Sequence, residues 1–429
     1  MISVKKLRYL DCSFFTKYSK LDISKFYLIE KEKVAFCLFC MAMLLAFFAS
    51  VRVWFFWSIN ETFPILCVAL LVPSMLISNS MEKPIYSRKD FFLPSILLGI
   101  LLIYQRILQT ESIIAMVMVL PRLFVFFALF RLSSDYYESF ATIIGKVFAT
   151  IVGVSLFMFF LFHLGLSFPG RNVVYDDTYS FTNYYFFLIR DWAEVDFTIP
   201  RFHSVFLEPG HMGTTIILFL STQIGKWKRW YNVVLIVALV FSFSLAGYGL
   251  MTILVFLHMW IKRKRILPKI IAIVCFIALL VGGSFVYRGG DNMFNQLIVM
   301  RLQVKDSGDD IEGNNRVSPR FQAEFDSFIQ SPDLFFGRKI NHDIMHGNAG
   351  YKVYVYTYGL VGFILCYLCY FAAMYKAPDK RAFIAMLILS LANFWIRAYP
   401  FWFGFFISYY LFALLPTPYI LNKKTQYAE

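Results

Sequence analysis

An all-α integral membrane protein of about twelve transmembrane helices, with two long external loops, is the fold the sequence predicts. Three observations lead there. Hydrophobic residues make up 59% of the chain and aromatics 20%, against 16% charged. A water-soluble domain of this length needs far more polar surface, so lipid must solvate much of it. Apolar runs of membrane-crossing length recur from residue 34 towards the C-terminus, which makes the chain polytopic rather than anchored. Lysine and arginine gather between alternate runs, the pattern that orients a chain across a bilayer.

Runs of roughly 17–25 residues, shorter where the flanks demand it, mark the spans. They cover residues 34–51, 62–78, 91–105, 113–130, 147–166, 210–224, 270–287, 355–375, 382–396 and 401–415. Residues 231–261 would make one helix of roughly 46 Å, too long for one comfortable crossing and short for two. Charge decides the case, because Lys226, Lys228 and Arg229 precede this region and Lys262-Arg-Lys-Arg265 follows it. One crossing would leave a basic cluster outside. A hairpin turning near Ser244-Leu-Ala-Gly-Tyr-Gly249 keeps both inside, and glycine eases such a turn.

The layout makes residues 1–33 a cytoplasmic N-terminal segment, 34–421 the membrane domain and 422–429 a cytoplasmic tail. The other inside loops agree, carrying Lys83, Arg88 and Lys89, then Arg131 and Lys146, then Lys376, Lys380 and Arg381, and Lys423 and Lys424 at the end. The external loops are 167–209 and 288–354, and the first includes Asn183-Tyr-Tyr-Phe-Phe-Leu-Ile189, an aromatic stretch suited to the interface. The orienting lysines and arginines account for the net charge of +14, so nucleic acid is not expected as a partner. None of the seven cysteines lies in either long loop, which argues against a disulfide framework. The two Cys-x-x-Cys pairs, Cys37/Cys40 and Cys366/Cys369, sit in apolar helix patterns without nearby His or acid ligands and read as helix packing.

Both external loops carry arginines where the orientation rule leads one to expect few: Arg171, Arg190 and Arg201 in the first, and Arg288, Arg301, Arg316, Arg320 and Arg338 in the second. Guanidinium binds phosphate in a two-pronged fashion and dehydrates more readily than ammonium. For any one arginine, pairing with a loop acid such as Asp176, Asp177, Asp191, Glu194 or Asp309 is the bland alternative. The stretch Arg201-Phe-His-Ser-Val-Phe-Leu-Glu-Pro-Gly-His-Met-Gly213 stands apart, placing Arg201, His203, Glu208 and His211 at the mouth of an apolar span. Charges there are costly to dehydrate and commonly meet a polar ligand. The two histidines read more readily as interfacial hydrogen-bonders than as catalysts. Arg122 follows Pro121 in mid-span, where it would bond carbonyls freed by a proline kink. Arg397, near Pro400 and Trp402 at an outer helix end, is a second-rank phosphate contact. No external Asp-x-Asp pattern stands out, so neither a metal nor another cofactor is expected.

The 201–213 stretch resembles the Arg…Phe…Glu-Pro…Gly motif of bacterial O-antigen polymerases and related lipid-linked oligosaccharide polymerases and ligases. Arg320 followed by Ser331-Pro-Asp-Leu-Phe-Phe-Gly337 resembles the second external-loop motif of that superfamily. His346-Gly-Asn348 leading into Tyr358-Gly-Leu-Val-Gly362 is similar to its His-Asn element. Ser242-Phe-Ser-Leu-Ala-Gly247 matches its short hairpin, with Leu245 where many members have arginine, so the hairpin is assigned no phosphate contact. The likeness covers residues 200 to 375 and the helix layout.

The resemblance implies a metal-independent glycosyltransferase of the bacterial inner membrane, with both termini cytoplasmic and its active site periplasmic. It would join oligosaccharide units carried on undecaprenyl pyrophosphate into O-antigen or a related polysaccharide. Its partners would be the lipid-linked oligosaccharide, membrane lipid and a chain-length regulator protein. Arg201 and Arg320 would hold the departing pyrophosphate, and Glu208 or His346 would serve the acceptor hydroxyl. Glu208 precedes Pro209, a helix-starting residue, so the positive helix end should lower its pKa and suit it to positioning. His346 carries no such bias, and an ordinary histidine titrates near about 6.5, so it is the favoured base. Arg316, Arg338, Arg397, His203, His211 and Asn348 complete the candidate set. Two rivals remain: an O-antigen ligase acting on lipid A–core, and a transporter or lipid-linked glycan flippase. The absence of a visible internal repeat weighs against the second rival.

Overall fold

The computed structural model describes residues 23–59, 61–77, 92–110, 112–130, 134–175, 179–190, 200–262, 266–292, 294–304, 317–339, 348, 350–374 and 380–403. It is mostly helical. The helices are α1 (Ile23–Ser50), α2 (Phe63–Ile77), α3 (Phe92–Gln109), α4 (Ile113–Val117), α5 (Val119–Phe130), α6 (Ser134–His163), α7 (Pro209–Ser221), α8 (Trp230–Phe241), α9 (Leu245–Lys262), α10 (Ile266–Val286), α11 (Pro319–Phe328), α12 (Tyr351–Met374) and α13 (Lys380–Ile396). Five stretches are long and apolar enough to cross a membrane: Lys31–Ser50, Phe92–Gln109, Ile113–Phe130, Ser139–His163 and Tyr351–Ala372. Phe63–Ile77, Trp230–Phe241, Leu245–Ile261 and Ile384–Ile396 are shorter apolar helices.

The surface of these helices is that of a chain solvated by hydrocarbon. On α3, Leu98, Leu101, Leu102 and Gln105 are buried while Ile96, Ile100, Ile103 and Ile107 stand exposed. Apolar side chains thus cover both faces, one packed against protein and one left for lipid. At the other extreme, every residue of α7 is buried, so this helix runs through the middle of the packing. α1 lies against α2, α3 against α12, α6 against α8 and α7 against α9.

Residues 231–261 form two helices, as the charge argument required. Trp227, before α8, stacks on His258, near the end of α9, at 4.4 Å between ring centroids, so the chain doubles back on itself. The turn falls earlier than the glycines, at Ser242–Ser244. Phe243 takes the left-handed φ of 44°, and the Ser244 Oγ accepts from Gly247 N at 3.1 Å. Gly247 and Gly249 lie inside α9. A Cβ on Gly247 would stand 2.9 Å from Leu239 Cδ1, so this glycine allows close helix approach rather than a turn.

The loop 167–209, read from the sequence as external, departs from an all-α fold. Residues Arg171–Tyr175 (β1), Tyr179–Asn183 (β2) and Leu188–Arg190 (β3) form an antiparallel sheet in which Val173 faces Phe181 and Phe181 faces Arg190. The aromatic stretch from Asn183 is the β2–β3 turn. Asn183 Oδ1 accepts from Tyr185 N at 2.7 Å, and Phe187 and Leu188 are buried. Phe181, Leu188 and Leu207 make a small second core with Trp54 and Trp57 packed on it. Two further bonds tie the approach to α7 into this layer, Leu188 N to Ser204 O at 2.9 Å and Trp54 N to Val205 O at 3.2 Å. The sheet therefore fixes the backbone just ahead of Glu208. Residues 422–429, expected as a cytoplasmic tail, the basic segments 78–91 and 131–133, and all of the last expected span beyond residue 403 lie outside the described residues.

Candidate functional site

The 201–213 stretch folds as a tight turn that delivers Glu208 to the head of α7. Ser204 has a φ of 53°, and Phe206 N closes the turn on His203 O at 3.0 Å. The His203 ring joins it through Nδ1, 2.6 Å from Phe206 O. Burial, with this backbone bond opposing it, pushes His203 down to about 4, so it is neutral at neutral pH. Its task is to shape the turn. Glu208 then occupies the N-cap position in extended conformation with Pro209 following, but its side chain caps nothing. The carboxylate is turned towards other partners.

Those partners come from the far end of the sequence and from the sheet. Arg397 Nη1 donates to Glu208 Oε2 at 2.9 Å, and Tyr399 OH donates to the same oxygen at 3.2 Å. Tyr179 OH, on β2, donates to Oε1 at 3.0 Å. Arg397 Nη1 also reaches Tyr399 OH at 3.3 Å. A left-handed turn at Ala398, φ 56°, places Arg397 and Tyr399 side by side. Gln105 pins this segment from α3, donating to Phe401 O at 2.8 Å and to Tyr354 OH at 3.0 Å. The reason for glycine at 210 is now plain: a Cβ there would stand 2.3 Å from Arg397 Nη2. Glu-Pro-Gly is a seat for a guanidinium, with an acid, a helix start and a notch.

The electrostatics follow from that geometry. Burial works to raise the Glu208 pKa, but the charges of Arg397 and Arg190 and the Tyr179 hydrogen bond overcome it and hold it at about 2. Burial opposes the Arg397 charge, while Tyr399 and Glu208 more than restore it, so Arg397 is raised further above its ordinary range. Tyr179 is raised, first by the Glu208 charge and then by burial, and remains a donor. The direction for Glu208 is the one expected from its place before Pro209. The cause is different: an arginine from the far end of the chain, with no side-chain cap at the helix end.

These groups line a cavity of ≈ 340 Å³, at the lower end of the range for small-molecule sites. Arg52, Tyr175, Tyr179, Glu208, His211 and Arg397 supply much of its polar wall, with Asn348, Gln109 and Trp402 beside them. His211 is buried, its ring 4.8 Å from that of Tyr399. Asn348 is anchored by its Oδ1, which accepts from Ser318 N at 2.6 Å. Among the described residues the lining carries two guanidinium groups, Arg52 and Arg397, against one carboxylate.

Of the candidates read from sequence, Glu208, His211, Asn348 and Arg397 meet at this cavity. His203 supports it from behind. Arg201 is half-buried and Arg320 is exposed on α11, and neither lines it. The positioning role read for Glu208, orienting Arg201 or binding sugar hydroxyls, meets a different arginine here: its carboxylate accepts from Arg397, Tyr399 and Tyr179. Arg316 and His346 lie outside the described residues.

Arg338 is a structural clamp. Its Nε donates to Asp333 Oδ2 and its Nη1 to Glu324 Oε1, each at 2.7 Å. The Pro…Phe-Gly motif beside it docks by backbone on a kink in α12. Arg338 N bonds Tyr356 O at 2.8 Å and Val361 N bonds Phe335 O at 3.0 Å. Gly337 and Gly359 have φ of 78° and 63°, and a Cβ on either would strike carbonyl oxygen at 2.3 or 2.4 Å.

Arg122 does not turn to carbonyls freed by a proline kink. The helix does break at Met118, beside the Val117 carbonyl that Pro121 leaves without a donor, but Arg122 Nη2 lies 3.6 Å from Glu61 Oε2. Sequence reading missed Arg52, Tyr179 and Tyr399. Arg52 follows the first apolar run immediately, so it carries the same signal as the loop arginines, a cation on the side expected to have few. The tyrosines are two of 26 and gave no signal.

No family model, curated protein or solved structure matches the chain.

Proposed function

We propose that this protein is a polymerase of lipid-linked oligosaccharide. In this reading twelve spans leave loops 167–209 and 288–354 on the periplasmic face of a bacterial inner membrane. The single observation that carries it is the convergence of Glu208, Arg397, Arg52 and two tyrosines on one cavity at the mouths of apolar helices. A pyrophosphate leaving group needs fixed positive charge in a partly dehydrated site. Its polyprenyl tail needs a lipid-facing surface, and the exposed apolar faces of α3 and its neighbours supply one.

The growing chain on undecaprenyl pyrophosphate is the donor. The terminal sugar hydroxyl of an incoming unit attacks the anomeric carbon. A new glycosidic C–O bond forms, the bond to pyrophosphate breaks, and its electron pair leaves on the phosphate oxygen. Arg397 and Arg52 stabilise that departing charge. Arg201 and Arg320 draw the anionic donor towards the cavity. Glu208, ionised throughout the neutral range, fixes Arg397 and contacts sugar hydroxyls; so acidic a carboxylate is a poor base. The hydroxyl proton goes to His346, two residues before Asn348 of the cavity wall.

Purified full-length protein supplied with lipid-linked units alone provides the test. The expected result is a ladder of longer lipid-linked glycan. A protein that transfers glycan only when lipid A–core is added is a ligase, and one that moves lipid-linked units across vesicles without lengthening them is a flippase.

A further inference from the structure

A second cluster of charge lies at the ends of α2, α3 and α5, beside the Glu208 cavity. Arg122 is buried, with its side chain 3% exposed. Its guanidinium is held between two rings, 5.1 Å from the centroid of Phe63 and 4.5 Å from that of Phe403. The rings satisfy its faces but not its edges. Nε and Nη1 are buried and have no hydrogen-bond partner among the described residues, while Nη2 meets Glu61 Oε2 only at 3.6 Å. Arg106 Nη2 approaches the same oxygen at 3.4 Å. Two arginines therefore share one oxygen of one carboxylate, and that carboxylate is 61% exposed.

A buried arginine with so little compensation is costly, and the cost falls when a group with several acceptor oxygens arrives. The neighbourhood selects what carries that group. Arg106 Nε donates to Ala115 O at 3.2 Å, which places the cluster against α4. On α4 and the start of α5, Ile113, Ile114, Val117 and Leu120 are among the exposed large apolar side chains. A cationic seat with an apolar slope beside it matches an amphiphile with an anionic head. Phosphate fits two guanidinium groups better than a single carboxylate oxygen does.

We infer that Arg106 and Arg122 form a seat for the phosphate headgroup of an anionic lipid, with Glu61 as a displaceable stand-in that pairs with the arginines when no lipid is bound. The lipid's tail lies along α4 and α5. The seat adjoins the Glu208 cavity through Gln109, which lines that cavity and whose Oε1 accepts from Arg106 Nη1 at 3.4 Å. It is nevertheless a separate site, since neither Arg106 nor Arg122 lines the cavity.

The test is binding to the detergent-solubilised full chain, without glycan, so it is independent of the proposed reaction. Three probes are titrated with thermal unfolding as the readout: a short-chain phosphatidylglycerol, a phosphatidylcholine of equal chain length, and inorganic phosphate. Arg122 is buried and its removal endangers folding, so the variants are at the rim. Phosphatidylglycerol should bind best. Glu61→Gln should bind it about tenfold more tightly by removing the competing carboxylate, and Arg106→Gln about tenfold more weakly. These opposite signs are not produced by a general loss of structure. Unchanged or weaker binding in Glu61→Gln overturns the inference, as does unchanged binding in Arg106→Gln. Equal binding of phosphatidylcholine removes the anionic head from the account, and equal binding of inorganic phosphate removes the lipid.

Discussion

The turn ahead of α7 and the turn ahead of α12 carry the same kind of sequence signal, an arginine near a Pro and a Gly, and put it to opposite uses. Around Glu208 one carboxylate meets Arg397 inside the packing, with side chains 19% and 17% exposed, while Arg52 adds further positive charge to the cavity wall. Around Arg338 one guanidinium meets two carboxylates, Glu324 and Asp333, near the surface. The first arrangement sets its charged groups around a space that a ligand can fill. The second uses its charge up internally. Its glycines serve backbone docking, whereas Gly210 serves a side chain. Residue type and spacing alone do not separate these two outcomes; the charge balance and burial at each place do.

The comparison breaks first at Arg397. Arg397 Nη1 alone holds Glu208 and Tyr399, and lysine there keeps a charge but lacks the other guanidinium N–H groups that a leaving phosphate would meet, so turnover should fall by about 100-fold or more in protein of normal abundance. Glu208→Gln strips Arg397 of its buried counter-charge, and such a loss is strongly destabilising, by about 3–5 kcal/mol. Its mark is seen in pH titration. Glu208 is depressed from 4.5 to about 2, so its contribution is fully present above pH 4.5 and lost as pH falls through 2. Thermal unfolding of wild type should weaken across that window by about 3 kcal/mol, and Glu208→Gln should lack this step.

Next in size are the docking glycines. Gly359→Ala and Gly337→Ala each add a Cβ at positive φ against a carbonyl, and should lower stability by at least about 1–2 kcal/mol, read as a reduced unfolding temperature. Gly210→Ala should act through a side chain instead, pushing Arg397 away from Glu208 and cutting turnover as well as stability. The smallest effect is expected for Arg338→Lys. Its pairs are near the surface, where each contributes under about 1 kcal/mol, so turnover should stay close to that of wild type.

Much of the outline was legible because bilayer physics acts on composition. The hairpin in 231–261 followed from Lys226 and Lys262 needing the same side. Its turn residue was not legible, since Phe243 rather than a glycine takes the left-handed conformation. Glu208 was legible from its place before Pro209. Arg397 as its partner was not, because nothing local in the sequence links positions 189 residues apart. The sheet was hidden too: β1 to β3 are strands of five, five and three residues, too short for alternation to rise above an aromatic-rich loop. Arg52 offered a readable clue, a cation directly after an apolar run. Tyr179 and Tyr399 offered none, since a tyrosine's role depends on where its hydroxyl ends up.

The most direct test sets Arg397→Lys against Arg338→Lys in one assay, each purified at matched folded concentration and given the same lipid-linked oligosaccharide. The expected result is near-complete loss of chain extension in the first and near-normal extension in the second. Equal activity in the two variants would contradict the assignment of the Glu208–Arg397 cavity as the reaction site.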